Sequence, residues 1–205
     1  MSWPRGGQIQ VPSPDPRRFD PRLVRPEGSA AARVYLVGEA PGCQEADAGR
    51  PFVGPAGTAL RDMIRKAGMD ESEIRLANAL PFRPIERSAK RALRNRRPTE
   101  KELRDYGPIV LADIATVRPK LIIALGKAAG SLFGARTTIE RARRKVFCFQ
   151  GIAVRVTYHP GFVLRFGGRG SRLWRTAVHD LRTFWNTRNR GAHNTRRDSV
   201  AVRDK

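Results

Sequence analysis

A short apolar run that passes directly into a long glycine-rich loop constrains the fold of this chain most strongly. Residues 34–37 read Val-Tyr-Leu-Val, and the loop at 38–57 reads GEAPGCQEADAGRPFVGPAG. Four β-branched, aromatic or aliphatic residues before a glycine and a carboxylate are typical of a buried parallel strand. In open α/β sheets, ligands bind at the carboxyl ends of such strands. The loop is therefore predicted to line a ligand site. Its candidate side chains are Glu39, Glu45, Asp47 and Phe52.

Strand and helix patterns alternate along the rest of the chain, which predicts a parallel α/β sandwich. Thr99 and Glu102 form a predicted capping box at the start of one helix, and a polar, Arg-rich insert at 81–98 is predicted to be a loop. The predicted strands are 33–37, 74–79, 121–125, 146–149 and 152–157, and the predicted helices are 58–67, 99–117, a short one ending at 133, and one from 171.

Composition divides the chain into three parts. Residues 1–30 are rich in proline without a hydrophobic period, which predicts an extended arm. Residues 31–187 carry the alternating pattern of one α/β domain, and 188–205 form a basic tail that is predicted to be disordered. A chain of 205 residues is long enough for a single domain with a full core.

The charge balance predicts a polyanionic partner. The chain has 40 Lys and Arg against 19 Asp and Glu, a net charge of +21. An excess of this size favours nucleic acid as the partner, although a solubilising surface is the simpler alternative.

Cysteine and histidine usage argues against a metal cofactor. Cys43 and Cys148 form no CxxC pair, which excludes an iron–sulfur cluster ligated by cysteines of one chain. The three histidines show no metal-ligand spacing, so we expect no metal and no cofactor. Neither a signal peptide nor a membrane span is evident, and we expect a monomer in the bacterial cytosol or nucleoid.

Three polar residues follow predicted strands: Glu39, Asn78 and His159. Because parallel strands end at one edge of a sheet, these side chains are predicted to converge. An amide suits the edge of a base, a histidine can donate to an oxyanion, and a carboxylate can orient water or stabilise a cation. Each residue also has a structural explanation: Asn78 as a turn cap, His159 as a turn residue, Glu39 as the partner of an arginine.

The motifs GEAPG, GRPFVGPAG, Asn78, PKLIIALG and HPG together resemble the family 4 type of the uracil-DNA glycosylase superfamily. The resemblance covers about 34–185. It implies a central four-stranded parallel sheet between helices, and hydrolysis of the N-glycosidic bond of deoxyuridine in DNA to leave an abasic site.

The resemblance also implies roles for individual residues. Glu39 corresponds to the carboxylate of the first motif, and Phe52 to the aromatic residue that stacks on uracil. Asn78 corresponds to the amide that reads the base edge, and His159 to the histidine that faces uracil O2. Gly38 belongs to the same uracil-binding set. We expect Glu39 to position the water, with Glu45 and Asp47 as alternatives, because the acid of the motif is displaced by one place.

The chain departs from family 4 where that family holds an iron–sulfur cluster on four cysteines. The arm contains no cysteine, and Phe82 and Tyr106 stand where the two later ligands are expected. We predict that aromatic packing by Phe82, Tyr106 and Trp3 from the arm fills the volume of the cluster.

Two basic segments are predicted to contact DNA. One is the Arg-rich insert, which we expect to grip phosphates and the abasic product. The other follows His159, where an apolar wedge is expected to fill the gap left by a flipped base. One or two of its residues are expected in the core and Leu164 or Arg165 facing DNA; the simpler alternative is that Phe162 and Val163 only pack into the core. The predicted DNA-binding residues are Arg83, Arg87, Arg91, Arg94, Arg96, Arg97, Leu164, Arg165, Arg169 and Arg172.

The sequence thus predicts a monofunctional uracil-DNA glycosylase that acts by base flipping in base-excision repair. No lysine stands out as a Schiff-base nucleophile, so lyase activity is not expected. Two alternatives remain open: a glycosylase for another deaminated base, such as hypoxanthine or xanthine, and a non-catalytic protein that binds uracil or abasic DNA.

Overall fold

Strands and helices alternate along the chain in a computed structural model that describes residues 2–3, 9–89 and 92–187. The strands are β1 (Ser2–Trp3), β2 (Ile9–Gln10), β3 (Phe19–Asp20), β4 (Glu27–Gly28), β5 (Val34–Gly38), β6 (Ile74–Asn78), β7 (Arg83–Arg87), β8 (Leu93–Asn95), β9 (Leu121–Leu125), β10 (Phe147–Phe149) and β11 (Ile152–Thr157). The helices are α1 (Cys43–Ala48), α2 (Pro55–Ala67), α3 (Glu100–Val117), α4 (Gly126–Ser131), α5 (Ile139–Ala142), α6 (Pro160–Phe166) and α7 (Arg172–Thr187), with a 3-10 turn at Glu71–Glu73.

A six-stranded sheet in the order β10-β11-β9-β5-β6-β4 forms the centre of the domain. The four inner strands, β11, β9, β5 and β6, run parallel to one another. The outer strands β10 and β4 are antiparallel to their neighbours. The predicted α/β/α sandwich is confirmed, and its parallel strands are extended by one antiparallel strand at each edge.

The two faces of the sheet are covered by different helices. Val34 and Leu36 pack with α2 and α7, while Tyr35 and Val37 pack with α3 and α4. Side chains alternate between the two faces of a strand, and helices cover both faces here. Both sets of side chains are therefore buried, and the sequence of the strand is one continuous apolar run. The central strands are therefore held rigidly from both sides.

Local sequence signals account for most helix ends. The predicted capping box of α3 is confirmed, since the Thr99 hydroxyl accepts from the Glu102 amide and the Glu102 carboxylate accepts from the Thr99 amide. Helix α2 starts at Pro55, three residues before its predicted start. Proline is favoured at a first helical position because its missing N–H would have no partner there.

The prediction of a loop at 81–98 was wrong. This segment forms the hairpin β7–β8, and β7 also pairs with β3 from the arm, with Phe19 opposite Pro84. The amide of Val24 donates to the carbonyl of Pro81 at 2.9 Å. The arm therefore lies against the hairpin and contributes Phe19 and Val24 to the buried core.

The tail at 188–205 lies outside the described residues. Over the part of the chain that is described, no helix is both long and apolar enough to cross a membrane.

Candidate active site

The carboxyl ends of three parallel strands meet at one edge of the sheet. Gly38 at the end of β5 is the register partner of Asn78 at the end of β6, and β11 ends two residues before His159. The strand β9 lies between β5 and β11 and ends at Leu125. The predicted convergence of strand ends is thus present: Glu39, Asn78 and His159 all lie at this edge, and we call the space that they border the crevice.

Gly38 brings the Asn78 amide and the Phe52 ring together. A Cβ atom at Gly38 would lie 2.4 Å from Asn78 Oδ1 and 2.6 Å from Phe52 Cζ. Both distances are too short for a real side-chain carbon. Only glycine at this position allows the amide and the aromatic ring to approach the same strand end, where the flat ring lies beside a polar group.

Phe52 is held in an unusual backbone conformation. Its φ is 56°, a left-handed value that costs a bulky residue about 1–3 kcal/mol. The residue is supported by Gly57, where a Cβ would lie 1.8 Å from the Phe52 carbonyl oxygen. The Phe52 and His159 ring centroids are 6.5 Å apart with a tilt of 31°, so both rings border the same space.

His159 has a defined protonation state. Its Nδ1 accepts a hydrogen bond of 3.1 Å from the Gly161 amide and thereby caps α6. An imidazole nitrogen that accepts cannot carry a proton, so the single proton of the neutral ring lies on Nε2. Burial lowers the pKa of His159 to about 4. The ring is therefore a neutral Nε2–H donor at physiological pH.

The position of the His159 ring depends on Gly126, at the start of α4. Gly126 has φ 90° and a Cβ there would lie 3.0 Å from His159 Cβ. This glycine follows β9 in the sequence, and that placement was the only signal of its role.

Glu39 is partly buried at the mouth of the crevice. Burial raises the pKa of its carboxyl group, and the positive charge of Arg97 acts in the opposite direction. Arg97 follows β8 and is itself exposed. A cation from the Arg-rich segment thus lies near the candidate catalytic carboxylate.

The other two candidate carboxylates hold the loop instead of facing the crevice. Glu45 accepts hydrogen bonds from the amides of Gly42 at 3.0 Å and Gly54 at 2.7 Å, which joins the two ends of the loop. Asp47 forms an ion pair with Arg22 of the arm. These contacts engage both groups in the loop. Glu39 therefore stays our candidate for positioning the water, with Glu45 and Asp47 as the alternatives.

Two of the predicted DNA-binding arginines are structural. Arg83 is only 6% exposed and donates from Nε to Asn95 Oδ1 at 2.6 Å, which joins β7 to β8. Arg96 donates to both oxygens of the buried Glu102 carboxylate at 2.7 Å. These contacts leave neither guanidinium free for phosphate, which corrects the expectation for both. Arg87, Arg94 and Arg97 are exposed, and Arg91 lies outside the described residues.

The segment after His159 buries some of its predicted residues and exposes others. Val163 is fully buried and Leu164 packs partly against the core, whereas Phe162 and Phe166 are exposed. Helix α6 turns its i and i+4 positions outward. Of the two residues expected to face DNA, Leu164 is partly buried and Arg165 is exposed, so Arg165 is the more accessible candidate. Arg165 and Arg172 are exposed, and Arg169 donates to Asp62 Oδ2 at 2.8 Å while remaining half-exposed.

The region where family 4 would hold its cluster does not fit a cysteine-ligated metal. The rings of Phe82 and Tyr106 lie 5.8 Å apart, and Phe19 contacts them edge-on at 6.5 and 5.2 Å. Both cysteines of the chain are exposed and lie elsewhere, on α1 and β10. Three buried aromatic rings therefore occupy this region. The third ring comes from Phe19, and the side chain of Trp3 lies outside the described part of the chain.

The fold and the crevice define a class of protein. The chain is a parallel α/β sandwich with a carboxylate, an amide, an aromatic ring and a neutral histidine at the carboxyl edge of its sheet. The sequence profile described as the Uracil DNA glycosylase superfamily matches residues 25–182. The chain belongs to the uracil-DNA glycosylase superfamily.

Curated relatives agree with this assignment, and a solved structure shares the fold. The chain is 34% identical over 162 residues to the type-4 uracil-DNA glycosylase of Thermotoga maritima, covering 78% of this chain and 79% of the relative. It is 34% identical over 158 residues to the type-4 enzyme of Pyrobaculum aerophilum, covering 72% and 76%. The crystal structure of wild-type SMUG2 from Pedobacter heparinus superimposes with a TM-score of 0.57 at 14% identity, covering 78% and 77%. That similarity supports the fold.

Proposed function

We propose that the protein removes uracil from DNA by hydrolysing the N-glycosidic bond of a flipped deoxyuridine, which leaves an abasic site. Extrusion of the target nucleotide into a pocket is the general strategy of DNA glycosylases. The observation that carries this proposal is the hydrogen bond from the Gly161 amide to His159 Nδ1, because it fixes a neutral Nε2–H donor beside Phe52 and Asn78.

His159 stabilises the leaving group. As the C1′–N1 bond breaks, its electron pair leaves with uracil and negative charge develops on O2. A neutral donor held in place by its own backbone bond stabilises that charge without moving during the reaction. A protonated imidazole would first have to be formed against a pKa of about 4.

Glu39 acts on the sugar side of the bond. Its carboxylate orients a water molecule toward C1′, stabilises the oxocarbenium-like sugar and accepts the proton of the attacking water. Because burial raises its pKa, the group is a stronger base than an ordinary glutamate. All proposed steps use side chains of one chain, and we propose that the enzyme acts as a monomer.

Asn78 and Phe52 recognise the base. Uracil presents the O4 acceptor beside the N3–H donor, and an amide can pair with both. Cytosine presents the opposite pattern and would leave buried polar groups unpaired, which discriminates strongly against it. Hypoxanthine and xanthine also present a carbonyl beside an N–H, so pocket size has to exclude them.

Alkaline cleavage of end-labelled oligonucleotides tests this proposal. The substrates carry uracil, hypoxanthine, xanthine, or thymine opposite guanine, and the proteins are wild type and Asn78→Ala. We expect cleavage at uracil that is lost in Asn78→Ala. Preferred cleavage at a purine would instead assign the enzyme to another deaminated base. Absence of all cleavage with tight binding of abasic DNA would establish the non-catalytic alternative.

The Arg-rich hairpin supports a second element of the proposal, a grip on the abasic product. Arg87, Arg94 and Arg97 are exposed, and the hairpin is anchored close to the active loop through Asn95. A Cβ at Gly42 of that loop would lie 3.4 Å from Asn95 Nδ2. We expect Arg87→Ala/Arg94→Ala to weaken binding to abasic DNA and to accelerate multiple turnover. Unchanged turnover and affinity would contradict this role.

A further inference from the structure

Three aromatic rings form a continuous row next to His159, and we call Tyr158, Phe162 and Phe166 the aromatic row. The Tyr158 and Phe162 rings are nearly parallel, with centroids 6.0 Å apart and an angle of 8°. Phe162 and Phe166 are 4.7 Å apart at 43°. The four-residue spacing places the two phenylalanines on one face of α6. The row therefore begins at the residue before His159 and continues along one face of α6.

Exposure rises steadily along the aromatic row. Tyr158 is 7% exposed, Phe162 39% and Phe166 60%. In the described ranges, Leu93 is the only other large apolar side chain that is exposed to this degree. Neighbouring exposed aromatic rings are uncommon on a soluble surface unless they bind a partner. Tyr158 is thus the buried support, and the two phenylalanines present the free surface.

Arginines surround the buried end of the row. The Arg143 guanidinium lies 4.9 Å from the Tyr158 ring centroid and is held by Asp180 at 2.6 and 2.7 Å. A cavity of about 370 Å³ beside Tyr158 is also lined by Arg144 and Arg172, both exposed. Glu140 lines the same cavity and accepts from the Tyr158 hydroxyl at 3.4 Å, so one carboxylate stands among three arginines. The surface therefore combines flat apolar rings with an excess of cationic groups.

This combination matches the chemistry of a single DNA strand. Unpaired bases stack on aromatic side chains, while basic groups bind the phosphates between them. In duplex DNA only the two bases beside the flipped nucleotide have a free face, whereas in a single strand successive bases are free to stack on a row of two exposed rings. The net charge of +21 is complementary to either form of DNA and does not itself distinguish them.

We propose that the aromatic row is a stacking track for unpaired bases that flank the target deoxyuridine, and that Arg144 and Arg172 bind a phosphate of the same strand. The inference rests on the proposed function and extends it by assigning single-stranded DNA as a preferred form of the substrate. The strand would pass from the pocket at His159 over Phe162 and Phe166, with its backbone following the arginine-lined cavity.

Binding and single-turnover excision on a single-stranded oligonucleotide and on its duplex test the proposal. The variants are Phe166→Ala, Phe166→Trp and Phe162→Ala/Phe166→Ala. The control is Thr116→Ala, an exposed residue near the end of α3, where the chain returns to the start of β9 at the opposite end of the sheet. We expect Phe166→Ala to weaken single-strand binding about tenfold, because stacking of one base is commonly worth that much or more. Phe166→Trp should retain binding, and the control should match wild type.

The affinity for the duplex and the melting temperature of each variant separate the track from a wedge and from a packing role. We expect duplex affinity to change less than about twofold. Equal losses on both substrates would overturn the track in favour of a wedge inserted into the duplex. Equal affinity of all variants for the single strand would overturn the track. A loss of binding matched by a loss of thermal stability would also overturn it, because the rings would then serve the packing of the fold.

Two further outcomes concern the arginines and the link to catalysis. Arg144→Ala/Arg172→Ala should reduce the salt dependence of single-strand binding by about 0.7 in log–log slope for one lost phosphate contact, and an unchanged slope would overturn the phosphate site. If wild type binds single strands through Phe162 and Phe166 but releases no uracil, the track stands and the proposed glycosylase function fails.

Discussion

Replacement of Phe19 by alanine removes the arm's contribution to the buried aromatic core. Phe19 is 2% exposed and lies edge-on to Tyr106 and Phe82, with the Arg96 guanidinium 5.5 Å from its ring centroid. It also pairs with β7 through the two-residue strand β3. The substitution therefore leaves a cavity where the arm, the hairpin and α3 meet.

The cost follows from the size of the deleted ring. A buried Phe→Ala substitution costs about 3–5 kcal/mol, which includes the lost edge-on contacts. For a chain of this length, each kcal/mol lowers the melting temperature by about 2–4 °C. We expect a decrease of about 6–20 °C for Phe19→Ala and a smaller one for Phe19→Leu, which keeps more of the side-chain volume.

Thermal unfolding followed by circular dichroism measures this effect. Phe166→Ala is the matched control, because it deletes the same ring from a position that is 60% exposed, and it should melt within about 2 °C of wild type. A melting temperature of Phe19→Ala equal to that of the control would refute the reasoning. Aromatic packing by the arm would then contribute nothing measurable to the fold.

Three further substitutions test the site and its surroundings. Arg97→Gln should shift the acid limb of the pH profile of single-turnover excision to higher pH, since Arg97 lowers the pKa of Glu39 and excision needs the carboxylate. Arg94→Gln is the control, and equal pH profiles for the two variants would contradict the effect of Arg97 on Glu39. Gly38→Ala should reduce the rate of excision at least a hundredfold at modest cost in stability, because the new Cβ would lie 2.4 Å from Asn78 Oδ1. A near-normal rate of excision would disprove this contact. Glu102→Gln should flatten the pH dependence of unfolding. Burial raises the pKa of the Glu102 carboxyl group, but hydrogen bonds from arginines and a backbone amide outweigh burial and lower this pKa to about 2. The ionised carboxylate therefore contributes about 3 kcal/mol to the stability of the wild type above pH 5, and this contribution is lost between pH 5 and 2.

The central sheet and the positions of the site residues could be predicted from sequence because their signals are local. Val34–Gly38 and Leu121–Leu125 are continuous apolar runs, and a parallel strand buried on both faces requires such a run. Polar residues directly after strands mark the ligand-binding edge in the same way. The capping box at Thr99 depends on only four residues, so it too could be read without knowledge of the fold.

The features that sequence did not predict depend on partners far along the chain. Arg83 lies in a segment whose Arg-rich composition is typical of a DNA-binding loop. It is nevertheless buried, and Asn95 accepts its hydrogen bond. Phe19 lies in a proline-rich segment, where a strand of two residues leaves no periodic pattern. Its burial follows from pairing with β7, which is more than 60 residues away. Such contacts become visible only when the sheet is assembled.

The two exposed phenylalanines show a related limit. The sequence placed an apolar segment after His159, but it did not fix which side chains face solvent. Helical geometry buries Val163 and turns Phe162 and Phe166 outward. The predicted wedge and the observed aromatic row occupy the same segment, and they differ by a rotation about the helix axis.

Release of free uracil from uracil-containing single-stranded DNA, measured in parallel with DNA affinity, tests the central claim most directly. The proteins are wild type, Glu39→Gln, His159→Ala and the exposed control His179→Ala. We expect wild type and His179→Ala to release one uracil per deoxyuridine. Glu39→Gln and His159→Ala should be at least a hundredfold slower while affinity changes less than about threefold. Tight binding by wild type without uracil release, or unchanged release by both active-site variants, would contradict the account.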